Sequence, residues 1–184
     1  MPNSDPDRVR GAAKRAATKP PNFGLAPRGQ PAPAWTTCAW FNSDHDLQLA
    51  DLRGQVVVLH AFQMLCPGCV SHGLPQAQRI HATFAAQGVA VIGLHTVFEH
   101  HAAMTPVSLQ AFLHEYRVAF PVGVDAPSAD TRQPIPLTMQ AYGMQGTPTL
   151  ILIDRNGHLR HHAFGAVDDL ALGAAIATLI AEGD

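Results

Sequence analysis

Cysteine is scarce in this chain, with three in 184 residues. Three cannot build a disulfide scaffold, and a chain of this length buries roughly 70% of its unfolded surface without such staples. Charge is thin as well: 14% of residues, with twelve Lys and Arg against fourteen Asp and Glu for a net −2. So small a net charge excludes strong electrostatic capture of nucleic acid or of an anionic membrane, and neither is expected as a partner. Long apolar runs are missing. Val89 to Leu94 falls far short of the roughly 20 residues that a bilayer requires and suits a buried strand. Between Met1 and Lys19 there is no apolar h-region with a cleavage site behind it, so the opening does not read as a secretory signal and a cytoplasmic protein is expected. What is present is a 47% apolar composition that fits one globular domain.

Lysine occurs only at Lys14 and Lys19, and with Arg8, Arg10, Arg15 and Arg28 these make six of the twelve basic residues fall before residue 30. The segment from Pro20 to Ala34 adds five prolines and little apolar periodicity. Residues 1–30 therefore read as a flexible basic, Pro-rich tail and 31–184 as the domain. Within it, Thr36 to Asn42 suits a short strand, Leu49 to Gly54 a turn, and Gln55 to Phe62 a strand buried on both faces. Val70, Leu74, Ala77, Ile80 and Phe84 form one helical stripe that Gly88 ends. Gly88 to Val97 reads as a second buried strand. Thr105 and Pro106 open a helix towards Arg117 as N-cap and first helical residue. Phe120 to Val124 suits a third strand, Asp125 to Pro136 a loop and Leu137 to Tyr142 a short helix. Thr149 to Asp154 and His158 to Phe164 flank Asn156-Gly157 as a hairpin, and a last helix covers about Asp168 to Ala181. The alternation predicts an α/β architecture.

Cys66-Pro67-Gly68-Cys69 stands where a buried strand gives way to an amphipathic helix. Free N–H groups and the macrodipole at a helix start favour a thiolate, which makes Cys66 the attacking sulfur. Cys69, one turn further in, can then resolve a mixed disulfide at Cys66. The competing readings are a zinc half-site, which needs two more ligands and finds no second cysteine pair, or two unrelated buried cysteines. Cys38, without a neighbouring cysteine, reads as a small buried apolar residue.

Together with Gly146-Thr147-Pro148-Thr149 running into Leu150 to Gly157, this strand–CxxC–helix pattern resembles the thioredoxin superfamily over about residues 35–182. The stretch Leu52 to Val58 resembles the TlpA-like and AhpC/TSA-like branch, whose members carry an extra N-terminal hairpin and an insertion before the second half of the sheet. The resemblance implies a thioredoxin-like fold, a central mixed β-sheet flanked by helices. It implies a cis Pro148 facing the CxxC pair, with Thr147 pairing an extended partner segment and Pro67 and Gly68 beside it. No cofactor is implied, since the electrons reside in the disulfide.

Three departures follow from the alignment of motifs. His60 replaces the buried acid that thioredoxins place six residues before the first cysteine, and His72 replaces a glutamate frequent three residues after the second. A histidine can carry the Cys69 proton, although His60 reads equally as a packed core residue; His72 reads as exposed helix surface. Leu65 replaces the tryptophan before the first cysteine, and the dipeptide is Pro-Gly rather than Gly-Pro. Leu59 and Gln63 stand where peroxiredoxins keep Pro and Thr, which weakens peroxide reduction.

His95, Glu99, His100 and His101 follow the second strand and read as a polar rim or substrate-contacting loop beside Cys66 rather than as a metal site. His161 and His162, adjacent on a strand, point to opposite faces. The expected function is a cytoplasmic thiol–disulfide oxidoreductase with antioxidant and redox-homeostasis roles. Its Cys66–Cys69 pair would exchange electrons with protein or small-thiol disulfides and be re-reduced by an upstream dithiol or glutathione, with His60 as proton acceptor. Two alternatives stand beside it: a peroxiredoxin-like thiol peroxidase, and a metal-binding or metal-delivery protein using Cys66, Cys69 and His95 or His100.

Overall fold

A computed structural model of the protein describes residues 24–27, 29–130 and 134–183. The basic stretch before residue 24 lies outside the described residues. Among the described residues six strands form one mixed sheet: β1 (Thr37–Phe41), β2 (Val56–Phe62), β3 (Val89–His95), β4 (Val122–Asp125), β5 (Thr149–Ile153) and β6 (Leu159–Phe164). Four helices flank it: α1 (Leu74–Phe84), α2 (Pro106–Glu115), α3 (Leu137–Ala141) and α4 (Asp169–Ala181). The strand order is β1-β4-β3-β2-β5-β6. β2 is parallel to β3 and β3 to β4, while β5 runs antiparallel to β2, so the carboxyl ends of β2 and β3 and the start of β5 share one end of the sheet.

β2 is central and buried at all seven positions, which is why its sequence runs apolar rather than alternating. Val56, Val58 and Phe62 face α1 and α4, in a core with Leu74, Ala77, Leu172 and Ile176. Val57, Leu59 and Ala61 face the opposite layer with Trp35, Met139 and Tyr142. A helix layer thus seals each face of the strand that delivers Cys66.

Local signals act as expected at several ends. Thr105 Oγ1 accepts the Ser108 N–H at 3.3 Å with Pro106 at the first helical position. Gly88 caps the turn after α1 at φ +81°. Gly157 turns the β5–β6 hairpin at φ +75°, and the Arg53 guanidinium fills the space a side chain there would need. β4 and α3 lie between α2 and β5.

The N-terminal part differs from the implied hairpin. A single strand, β1, pairs with β4 at one edge, whereas the chain just before it lies along the other edge. There Pro31 bridges His158, the Ala26 N–H donates to Arg160 O at 2.7 Å, and the Leu159 N–H to Gln30 O at 3.1 Å. Residues 24–27, 29 and 30, which composition assigns to the tail, therefore carry ordered contacts to β6. Proline-rich backbone hides these contacts from sequence because they are spaced singly and show no periodicity. The Arg160 side chain completes the tie: Nε donates to Ala26 O at 2.7 Å, and the guanidinium reaches Glu182 Oε1 at 2.9 Å and Asp154 Oδ2 at 3.4 Å.

Candidate active site

β2 ends at Phe62, and after a short turn helical backbone begins at Pro67, leaving Cys66 at the N-cap position. Cys66 behaves as an N-cap: the Cys69 N–H donates to its Sγ at 3.2 Å. That bond and the helix dipole both favour negative charge on Cys66. The two cysteines are joined as a disulfide with Cα atoms 5.2 Å apart. Cys66 is partly exposed while Cys69 is buried among Phe62, Leu74 and Ala77, which separates an accessible sulfur from a sheltered one.

Sequence periodicity predicts an ordinary helix from Val70, but the first turn after Cys69 is a π turn, Cys69–Gly73, that passes into α1 at Leu74. Such turns are rare and favour functional positions. The Thr147–Pro148 peptide bond is cis. Pro148 Cδ lies 3.3 Å from where a Cβ on Gly68 would stand, so the proline ring packs on the CxxC loop, and the Thr147 carbonyl is 3.4 Å from Cys66 Sγ.

His60 lies on β2 under this turn, 1% exposed, with its ring parallel to Phe62 at 5.8 Å. Its Nε2 is buried without a hydrogen-bond partner among the described residues. Burial, and secondarily the proximity of His72, lower its pKa to about 4, so the ring is neutral near neutral pH. A Cβ on Gly73 would come 2.5 Å from His60 Cε1 and 3.2 Å from Pro148 Cβ. Gly73 is thus the gap into which the imidazole fits. Nothing in the sequence spacing marks it.

Several expectations are corrected here. His72 is half-buried rather than exposed helix surface, its Nε2 lying 3.2 Å from Val167 O, because the π turn rotates it towards the start of α4. His95 is not on a rim: it is 1% exposed at the end of β3, 5.4 Å from Phe62, and burial lowers its pKa to about 4. Glu99, His100 and His101 are exposed on the following loop. Among the described residues no three His, Cys, Asp or Glu side chains converge where an ion could be held, so Cys66, Cys69 and His95 or His100 are not assembled as a ligand set. Cys38 is exposed on the edge strand, not buried; partial desolvation foremost, with the Asp125 charge adding, raises its thiol pKa. Gln63, in the position of the peroxiredoxin threonine, is buried, and its Oε1 accepts the Phe98 N–H at 3.4 Å.

Two exposed apolar side chains belong to the segments that form the site. Leu65 is 57% exposed, and Phe164, 53% exposed, lays its ring over Gly146 next to Thr147. A cavity of about 790 Å³ beside Phe41, Asn42 and Arg117 shares no residue with this site.

The chain is similar in sequence and fold to other proteins. The chain is 25% identical over 125 residues to the thiol-disulfide oxidoreductase ResA of Halalkalibacterium halodurans; the match covers 67% of this chain and 62% of the relative's own length. A crystal structure of a thioredoxin-like superfamily protein is 61% identical, with a TM-score of 0.79 and coverage of 83% of this chain and 97% of the other. A thiol-disulfide isomerase from Corynebacterium glutamicum is 50% identical, with a TM-score of 0.76 and coverage of 81% and 96%. The match to the AhpC/TSA family runs from residue 28 to residue 162, from the edge segment through the CxxC loop and Pro148 into β6, and the chain belongs to that family.

Proposed function

We propose that this protein is a thiol–disulfide oxidoreductase that works through the Cys66-Pro67-Gly68-Cys69 pair. The observation that carries the reading is the asymmetry of the pair: a partly exposed Cys66 whose sulfur receives the Cys69 N–H, and a Cys69 buried beneath it. In the reduced protein the Cys66 thiolate attacks one sulfur of a partner disulfide, forming a mixed disulfide and expelling the other sulfur as thiolate. Cys69 then loses its proton and attacks Cys66 Sγ. The Cys66–Cys69 disulfide forms, the partner's second thiolate leaves, and two electrons have passed to the partner.

His60 is assigned as acceptor of the Cys69 proton. Its pKa of about 4 belongs to the disulfide form, in which the Cys69–Gly73 turn packs on the ring at Gly73; a negative charge arising on that turn at Cys69 favours the imidazolium and raises that value. Thr147 is assigned to pair its backbone with the partner segment, and Pro148, Pro67 and Gly68 to shape the groove. Exposed Leu65, next to Cys66 in the chain, and exposed Phe164, over Gly146, favour a protein segment over glutathione as the oxidised partner, because a longer chain can cover both. An upstream dithiol would return the electrons.

The test is trapping. Cys69→Ser should accumulate a mixed disulfide with a protein substrate at Cys66, and Cys66→Ser should not. Accumulation by neither variant, with rapid peroxide consumption by the wild type, would move the reading to a thiol peroxidase.

A further inference from the structure

Val167 stands between β6 and α4, just before the α4 N-cap Asp168, so its carbonyl has no partner within the helix. Two side chains from the helical stretch behind the cysteines meet it: Gln76 Nε2 donates at 2.8 Å, and His72 Nε2 lies 3.2 Å away. Gln76 is 3% exposed, and its amide also donates to Asp169 Oδ1 at 2.6 Å, while Arg79 pairs with Asp169 Oδ2 at 2.8 Å. Two residues before Val167, the Gly165 N–H donates to Pro148 O at 2.8 Å, and Gly165 turns the chain off β6 at φ +89°. Pro148 follows Thr147 through the cis bond, and the Thr147 carbonyl is 3.4 Å from Cys66 Sγ. These contacts close a circuit. It runs from Cys66 through the disulfide and the Cys69–Gly73 turn to Gln76, across to Val167, and back by Gly165, Pro148 and Thr147 to Cys66.

We propose that Gln76 is a positioning residue for the oxidised partner: by holding the Val167 carbonyl against α1 it fixes the Thr147 backbone relative to Cys66, and the site thereby takes an extended polypeptide disulfide in preference to a small one. This rests on the reading of Cys66 as the attacking sulfur and of Thr147 as the backbone that pairs with the partner. A polypeptide disulfide must satisfy both at once, its backbone on Thr147 and its sulfur in line with Cys66, so an error in their spacing weakens its docking. A small disulfide needs only Cys66 and is indifferent to that spacing. Gln76 acts through Val167 and Gly165 rather than on the reacting sulfurs. A role limited to the start of α4 would lie in the bond to Asp169 instead.

The experiment mixes reduced full-length protein with an excess of either of two disulfides and follows its oxidation. One is a short synthetic peptide dimer joined by a single disulfide, with leucine beside each cysteine; the other is hydroxyethyl disulfide. Gln76→Met keeps the length of the side chain and loses both donors, and Gln76→Glu keeps the shape but offers Val167 no N–H. Each should lower the preference for the peptide, taken as the ratio of the two rate constants, by about tenfold, the worth of one net buried hydrogen bond. The loss should come from a higher half-saturating peptide concentration at an unchanged limiting rate, and the Gly165 amide should exchange faster with solvent in both variants. Asp169→Ala leaves the Val167 bond in place and should keep the wild-type preference. A wild type that does not prefer the peptide, an unchanged preference in a folded Gln76 variant, equal slowing with both disulfides, or a matching fall in Asp169→Ala overturns the clamp. Wild-type protein oxidised by neither disulfide removes the oxidoreductase reading and the clamp with it, whereas wild type oxidised by both, beside Gln76 variants of unchanged preference, removes the clamp alone.

Discussion

His60 and Gly73 occupy one space: the imidazole Cε1 stands 2.5 Å from where the Cβ of any other residue at position 73 would be. Contact this close cannot be absorbed by a flexible chain end, because both partners are buried between β2 and the turn after Cys69. Gly73→Ala should therefore displace His60 or the turn and cost about 1–3 kcal/mol, the range for overpacking a filled interior. Denaturant unfolding measures that loss. The double variant Gly73→Ala/His60→Ala should recover most of it, and failure to recover would mean that the two residues do not share this contact.

Two buried neutral histidines set the acid limit. His60 and His95 each have a pKa lowered to about 4 from 6.5, so below pH 6.5 the unfolded chain takes up protons that the folded one does not. Stability from these groups is complete above pH 6.5 and falls as pH drops towards 4, by up to about 1.4 kcal/mol per pH unit for each. Replacing His95 with Leu should make the acid limb of the stability curve shallower. An unchanged limb would show that His95 is not held neutral in the folded protein.

Arg160, 4% exposed, joins three distant segments: Ala26, Asp154 after β5, and Glu182 after α4. Arg160→Ala takes the ion-pair partner from Asp154 Oδ2 and should cost about 3 kcal/mol, near the low end for breaking a buried pair because Asp154 Oδ1 keeps the Asn156 and His158 N–H groups and Glu182 keeps some access to water. Limited proteolysis should then cut near residues 24–30 first. Equal protection of that segment in variant and wild type would contradict its docking on β6.

Cys38 should be the one cysteine alkylated in the oxidised protein, since it is exposed and the other two are paired. Mass spectrometry after labelling under native conditions should find one adduct before reduction and three after reduction and unfolding. Its raised pKa makes the first adduct slow near neutral pH.

The parts of the fold that follow one period were legible in the sequence. The apolar run of β2, the stripe of α1, the Thr105-Pro106 start of α2 and the Asn156-Gly157 turn each state their own structure locally. The Cys66–Cys69 pair was legible for the same reason: motif and strand–helix boundary coincide. What stayed hidden depends on contacts between distant segments. His72 faces Val167 only because a π turn shifts the helix, and periodicity assumes an unshifted one. His95 sits where an apolar strand ends, and polarity alone places it outside when the packing of Phe62 puts it inside. Cys38 shows the reverse, a residue of buried type on an edge strand with no layer over it.

The most direct test is a redox titration of the full-length protein against glutathione buffers, with the state of each cysteine read by mass. Reduction potentials of such pairs span roughly −270 to −120 mV. The account predicts one two-electron transition within that span, confined to Cys66 and Cys69 and abolished by Cys66→Ser. A pair that stays oxidised or stays reduced across the whole series, or an oxidised form that links Cys38, would contradict it.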